Sequence, residues 1–278
     1  MGMPWHARLD LTYSRQAHRT VAHHAHEGPL RILQTLYPEG DAIAHNVIVH
    51  PPSGIVGGDT LEINVHAREG SHGFITTPGA ARFYRSEGEP AVQRARLKVD
   101  SGARLEWLPL EAIAYSGCIA ENHVLMDLAP DAEVIGWDVA ALGLPAAGQP
   151  FTTGALLQHV ELQGHWIERG RLDAADARLM DGPLGLAGRR CLATLFLASG
   201  RAVADARRET LLALANDAIA AFDADLMAGA TAPGPHVIAV RVLSGVVEPA
   251  MQLLQAIHAA WRPAAWGIPA ISSRLWTL

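Results

Sequence analysis

Cysteine is nearly absent from this 278-residue chain: Cys118 and Cys191 stand far apart, with no CxxC pair. Two isolated thiols build neither a disulfide framework nor a structural zinc site. Blocks of like charge are also missing, and the formal net charge is −6. That balance excludes nucleic acid as the main partner, because phosphate binding needs a concentrated basic face. No apolar run approaches the length that crosses a bilayer. The opening MGMPWHARLDLTYSRQAH lacks the continuous apolar stretch of a signal peptide, so a cytoplasmic protein, with no membrane partner, is expected. No GK[ST] follows a glycine-rich loop, and neither GxSxG nor HExxH occurs. P-loop nucleotide binding, a nucleophile elbow and a zincin site are thereby disfavoured.

What is present is a core-forming composition, 49% hydrophobic and 18% charged, patterned mostly with a period of two. In TLEINVHA (60–67) Leu61, Ile63 and Val65 alternate with Glu62, Asn64 and His66. In VQRARLKV (92–99) the apolar positions alternate with Arg94, Arg96 and Lys98. Half-buried strands have this period. Comparable segments fall at 7–13, 19–25, 30–36, 43–49, 72–77, 104–108, 123–129, 133–139, 155–162, 165–172 and 191–198. Turn sequences such as REGS, DSGA and APDA separate them. The expected fold is mainly β: stacked antiparallel sheets, sandwich- or solenoid-like, with no fixed-period repeat visible.

The ending changes period. Leu211, Ala215, Ile219, Phe222 and Leu226 make a helical stripe from an Asp205 N-cap, with Gly229 and Pro233 as the stop. A strand over 236–243 follows, and then a helix opened by Pro249 and ended by Pro263. Residues 1–278 are expected to form one domain, a β-rich body (1–200) closed by a helix–strand–helix unit (201–278).

The most compressed stretch is HPPSGIVGGD (50–59). Pro51 and Pro52 cannot donate to a ladder and so end a strand. Gly57 and Gly58 allow positive φ or close backbone approach, and Asp59 can accept from nearby N–H groups. TTPGAARFYRS (76–86) opens with an expected type II turn at Pro78–Gly79. It then sets Arg82 and Arg85 around Phe83 and Tyr84, a combination suited to a protein interface. In RLEWLPLEAI (104–113), Glu106 and Glu111 could face a polar interior. In VAHHAHEG, period two puts His24 and His26 on one face and His23 on the other, so at most two imidazoles converge. A β-rich enzyme using His50, Asp59, Arg85 and Glu111 in one pocket is the competing reading.

Taken in order, GPLRILQTLYPEG (28–40), HPPSGIVGGD (50–59), TPGAARFYRS (77–86), LEWLPLEAI (105–113) and SRLW (273–276) resemble the urease accessory proteins called UreD or UreH. The resemblance implies a non-enzymatic maturation factor that binds the urease apoprotein, UreF and, through UreF, the GTPase UreG. It implies no tightly bound cofactor: nickel is in transit through an internal passage, and GTP belongs to UreG. On that reading the passage candidates are Asp59, Glu168 and Ser86, with Arg85 beside them, and less firmly Glu106, Glu111 and His50. Arg82, Arg85, Tyr84, Gly57 and Gly58 are the expected partner-contact or structural positions. The C-terminal helices are a candidate seat for UreF, with burial on their own sheet as the alternative. The chain departs from the family pattern at Ser53, where glycine is usual, and at Arg82, Leu110, Leu144 and Gln149.

Overall fold

The computed structural model describes residues 5–277. Strands β1 (His6–Gln16), β2 (Arg19–Glu27), β3 (Arg31–Leu36), β4 (Ala44–Val49), β5 (Gly54–Ile55) and β6 (Thr60–Ala67) come first. They are followed by β7 (His72–Thr76), β8 (Ala81–Phe83), β9 (Ala91–Val99), β10 (Arg104–Leu108), β11 (Ala112–Ala114) and β12 (Cys118–Leu128). Next are β13 (Glu133–Leu144), β14 (Gln149–Pro150), β15 (Gly154–Leu162), β16 (Trp166–Asp173), the short helix α1 (Ala177–Asp181) and β17 (Cys191–Ser199). The chain closes with α2 (Asp205–Ala221), β18 (Leu226–Gly234), β19 (Val237–Ser244) and α3 (Val247–Trp266).

Two sheets result. One has the order β16-β15-β12-β9-β6-β1-β2, and the other runs β18-β19-β17-β13-β10-β7-β4-β3 with the short strands attached beside it. The mainly β, stacked-sheet expectation holds, but its antiparallel pairing is confined to the strands toward the ends of each sheet. β1, β6, β9, β12 and β15 pair in parallel across the first sheet, as do β4, β7, β10 and β13 in the second. Each of REGS, DSGA and APDA carries the chain from the first sheet to the second instead of reversing it within a hairpin. Successive coils therefore add strands in the same direction. The arches themselves stack, with Arg104 N–H donating to the Ser71 carbonyl and Glu133 N–H to that of Ala103. Thr60 pairs with Val92, Val92 with Glu121 and Glu121 with Leu157. These unequal coil lengths hide the solenoid repeat from a search for fixed spacing.

Burial follows the layers. In β6 every second residue (Leu61, Ile63, Val65, Ala67) is buried between the sheets, while Glu62, Asn64 and His66 face outward. β13 is buried on both faces: Val134, Ala140 and Leu142 join the inter-sheet core, and Ile135, Trp137 and Val139 pack beneath the helices. The apolar stripe of α3, including Leu253, Leu254, Ile257 and Trp261, is buried in that same helix-side core. Burial on its own sheet, and not a free seat for a partner, is where this stripe goes.

Four local expectations are corrected. α2 stops at Ala221, and Leu226 begins a strand on the open edge of β19. The closing unit is thus helix–hairpin–helix, because Gly229 and Thr231 are poor helix formers and the edge of β19 offers ladder bonds. Asp205 is the first residue of α2 and Ala204 its N-cap. α3 continues past Pro263 to Trp266 and ends at Gly267, whose φ of +66 gives a left-handed cap. Its last turn is held by the buried Trp266, whose Nε1 donates to Glu133 at 2.7 Å. Gly79, moreover, is not among the positive-φ glycines, so Pro78–Gly79 is not a type II turn. The Thr77 hydroxyl instead donates to the Gly79 carbonyl at 3.0 Å.

Candidate functional site: a polar band between the sheets

Pairing register sets one polar row on each inner face. On the first sheet Gln93 of β9, Asn122 of β12 and Gln158 of β15 lie side by side. On the second, Asp138 of β13, Thr194 of β17 and Arg241 of β19 do the same. The two rows join across the layer. Gln93 donates to Asn122 at 3.1 Å, Asn122 donates to Asp138 at 2.7 Å, and Gln158 donates to the other Asp138 oxygen at 2.8 Å. Glu168 of β16 continues the band, accepting from the Thr194 hydroxyl at 3.1 Å and from Arg241. Asn122 and Asp138 are buried, and the Glu168–Arg241 pair is half-exposed at the far side.

At its other end the band borders a cavity of about 200 Å³. Apolar side chains such as Ile55, Ile63 and Trp107 wall it, with Gln93, Asn122, Asp138, His50 and Ser53 among its polar positions. Burial pushes the Asp138 carboxyl up to about 6; the charge of Glu168 adds to this and the Gln158 and Asn122 amides oppose it. Desolvation likewise lowers the pKa of His50, against the pull of Asp59. Burial raises both thiols, Cys118 and Cys191, to about 11, so neither offers a thiolate near neutral pH. Among the described residues no three His, Cys, Asp or Glu side chains are gathered to hold a metal. The band offers single oxygen and nitrogen ligands in series, not a closed cage.

The corner 50–59 has a specific build. Ser53 adopts φ +57 and its N–H donates to the His50 carbonyl at 2.8 Å. A serine held there occupies the region that glycine enters without strain. Gly58 has φ +91, whereas Gly57 serves close approach: a Cβ would lie 2.7 Å from the Glu89 carbonyl and 3.0 Å from Ser86 Oγ. Asp59 uses one oxygen to accept from Trp5 N–H at 2.8 Å and the other from Val56 N–H at 3.0 Å. Its carboxylate is therefore engaged in joining the corner to the start of β1. Ser86 Oγ is buried with no hydrogen-bond partner, beside that corner.

The remaining sequence candidates are dispersed. Glu106 is fully buried, but on the helix side of the second sheet. There it meets His72 at 3.0 Å, His258 at 2.7 Å and Arg262 at 3.0 Å. Glu111 lines a separate cleft with Leu144, Arg190 and Glu248. Arg82 and Arg85 are exposed, Arg85 packing on Gly117, and Tyr84 lies 4.8 Å from Tyr115 between ring centroids. The cavity walls include His50 but not Asp59, Arg85 or Glu111, so the four residues of the enzyme reading do not line one pocket. Gln93, Asn122, Asp138, Gln158, Thr194 and Arg241 were not singled out from the sequence. Their signal was parity: Asn122 shares its face with Val124 and Met126, and Asp138 interrupts the apolar run of β13.

Comparison with known proteins bears on what such a band serves. A family model described as UreD urease accessory protein matches residues 6–277. A protein of Variovorax paradoxus named urease accessory protein UreD is 61% identical over 99% of both chains. One from Polaromonas naphthalenivorans is 57% identical over 99% of this chain and all of its own. Another, from Methylibium petroleiphilum, is 46% identical over 99% of both, and both carry the same name. No helix among the described residues is long and apolar enough to cross a membrane.

Proposed function

Because this chain belongs to the UreD family of urease accessory proteins, we propose that it is a non-catalytic scaffold that passes nickel to urease through the polar band. In this reading it docks on the urease apoprotein together with UreF, and reaches UreG, which handles GTP, through UreF. Exposed Arg82 and Arg85, beside half-buried Tyr84, are the contact positions this reading favours on the solvent side.

The observation that carries the reading is the Asn122–Asp138 contact, which threads polar atoms through an otherwise apolar inter-sheet layer. Burying such a row is unfavourable unless every member is partnered. Ni²⁺ accepts carboxylate and imidazole ligands and holds thiolate more tightly. With both cysteines protonated, the ligands left are oxygen and imidazole donors. One carboxylate per station binds weakly enough to release the ion to the next, as conduction requires. Asp138, titrating at about 6, is poised to exchange its proton for a cation near neutral pH. His50 stands at the cavity end, and the Glu168–Arg241 pair closes the far end. There Arg241 must swing aside before a cation meets Glu168.

The test is co-expression with a urease operon that lacks its own UreD-type subunit. Asp138→Ala and Glu168→Ala should lower the nickel content of the recovered urease while UreF still co-purifies. Normal nickel content in the double variant would sink the passage; failure of the parent chain to capture UreF would sink the scaffold role.

A further inference from the structure

β2 is an edge strand of the first sheet, and its inner face is covered at Thr20 and Ala22 but open at His24 and His26. His24 is paired with Leu11 and His26 with Leu9. Those leucines are buried between the sheets, whereas His24 and His26, on the same face one strand further out, are exposed. Their rings stack with centroids 6.1 Å apart and planes 20° apart. His23 points to the opposite face, as period two requires.

Most other histidines in the chain are already committed. Eight of them pair with an Asp or Glu carboxylate. His165 and His236 stack on each other, and His236 bonds the Ser199 carbonyl. His24 and His26 have no such acid among the described residues, and their ring contact is with each other.

We propose that His24 and His26 form a two-imidazole surface clamp for a late first-row divalent cation such as Ni²⁺, Cu²⁺ or Zn²⁺. An imidazole nitrogen sits about 2.1 Å from such an ion, so the rings must close by roughly an ångström, which side-chain rotation on an exposed edge allows. The i, i+2 spacing supplies the chelate. Once one ring holds the ion, the second meets it at high effective concentration, with no chain ordering to be done. Two ligands leave the remaining coordination positions to water, so the clamp captures reversibly. It selects by ligand type: imidazole suits nickel, copper and zinc, while magnesium prefers oxygen. This site is separate from the inter-sheet band and does not depend on nickel passing through it.

Resin-held Ni²⁺ reads surface imidazoles alone, since a buried band cannot reach it. The untagged full chain is applied to iminodiacetate-held Ni²⁺ near neutral pH and eluted with imidazole. The parent chain should be retained. His24→Ala and His26→Ala should each elute at about tenfold lower imidazole, with unchanged thermal melting. His23→Ala and Asp138→Asn should elute with the parent. Retention of the His24→Ala/His26→Ala double variant equal to the parent, or a loss on His23→Ala as large as on His24→Ala, would overturn the clamp.

Discussion

Asn122 of the first sheet donates a 2.7 Å hydrogen bond to Asp138 of the second, joining the two sheets across an otherwise apolar layer. This contact holds Asp138 between the sheets, where burial makes the band sensitive to pH.

Asp138→Asn should raise stability at pH 7 to 8. The folded carboxyl titrates at about 6, above its ordinary value of 3.8. The folded state therefore holds a proton more tightly than the unfolded chain, and stability falls as pH rises from about 4 through about 6. Asparagine mimics the protonated form, provided that one neighbouring amide flips to satisfy it. We expect a gain of about 1–2 kcal/mol at pH 8 that vanishes by pH 4, measured by urea unfolding across that range. A gain that persists undiminished at pH 4 would mean that the ionised carboxylate is not its source.

Glu106→Gln should do the reverse. Burial would raise this carboxyl, but bonds from His258 and His72 outweigh it and hold it well below the usual range. A depressed carboxylate contributes stability above its unfolded pKa, and that contribution is lost as pH falls toward the folded value. Arg262, also bound to Glu39 at 2.8 Å, would keep one anion of two. Losing one partner of a buried ionic cluster costs about 3–5 kcal/mol. Guanidinium unfolding at pH 7 should show the loss, and the difference between variant and parent should shrink below about pH 4.

Ser53→Gly should stabilise the chain by about 1 kcal/mol. The serine is held at φ +57, where an L side chain costs roughly 1–2 kcal/mol, offset in part by the greater freedom of glycine when unfolded. Thermal melting of the two chains reads the difference directly; a lower melting temperature for the glycine variant would refute it.

Gly57→Ala and Gly79→Ala form a contrast. A methyl on Gly57 meets the Glu89 carbonyl at 2.7 Å, while at Gly79 nothing lies within 4 Å. The first should cost about 1–3 kcal/mol, as overpacking does, and the second should stay within roughly 0.5 kcal/mol of the parent. Equal effects in urea unfolding would show that the corner can shift at no cost.

Strand locations were legible because alternation is a local signal, and β6 and β9 fall where Leu61–Val65 and Ala95–Val99 place them. The corner at 50–59 was legible for the same reason: prolines and glycines act on their own φ and their own ladder bonds. Asp59 illustrates the limit. Its local capping is legible in the sequence, but the bond from Trp5, 54 residues away, is not, and it occupies the second carboxylate oxygen. For Glu106 the local pattern leaves a polar interior and solvent both open, and the partners that decide it, His258 and Arg262, come from α3.

The sequence by itself determined where most of the long strands lie, which face of each is apolar, and the family to which the chain belongs. Tertiary structure alone decided pairing direction and the polar band. Period two is identical in parallel and antiparallel strands, so residue pattern does not distinguish an arch between sheets from a hairpin within one. The band requires Asn122 and Asp138 to meet across two sheets, and their contact depends on how every intervening coil is stacked.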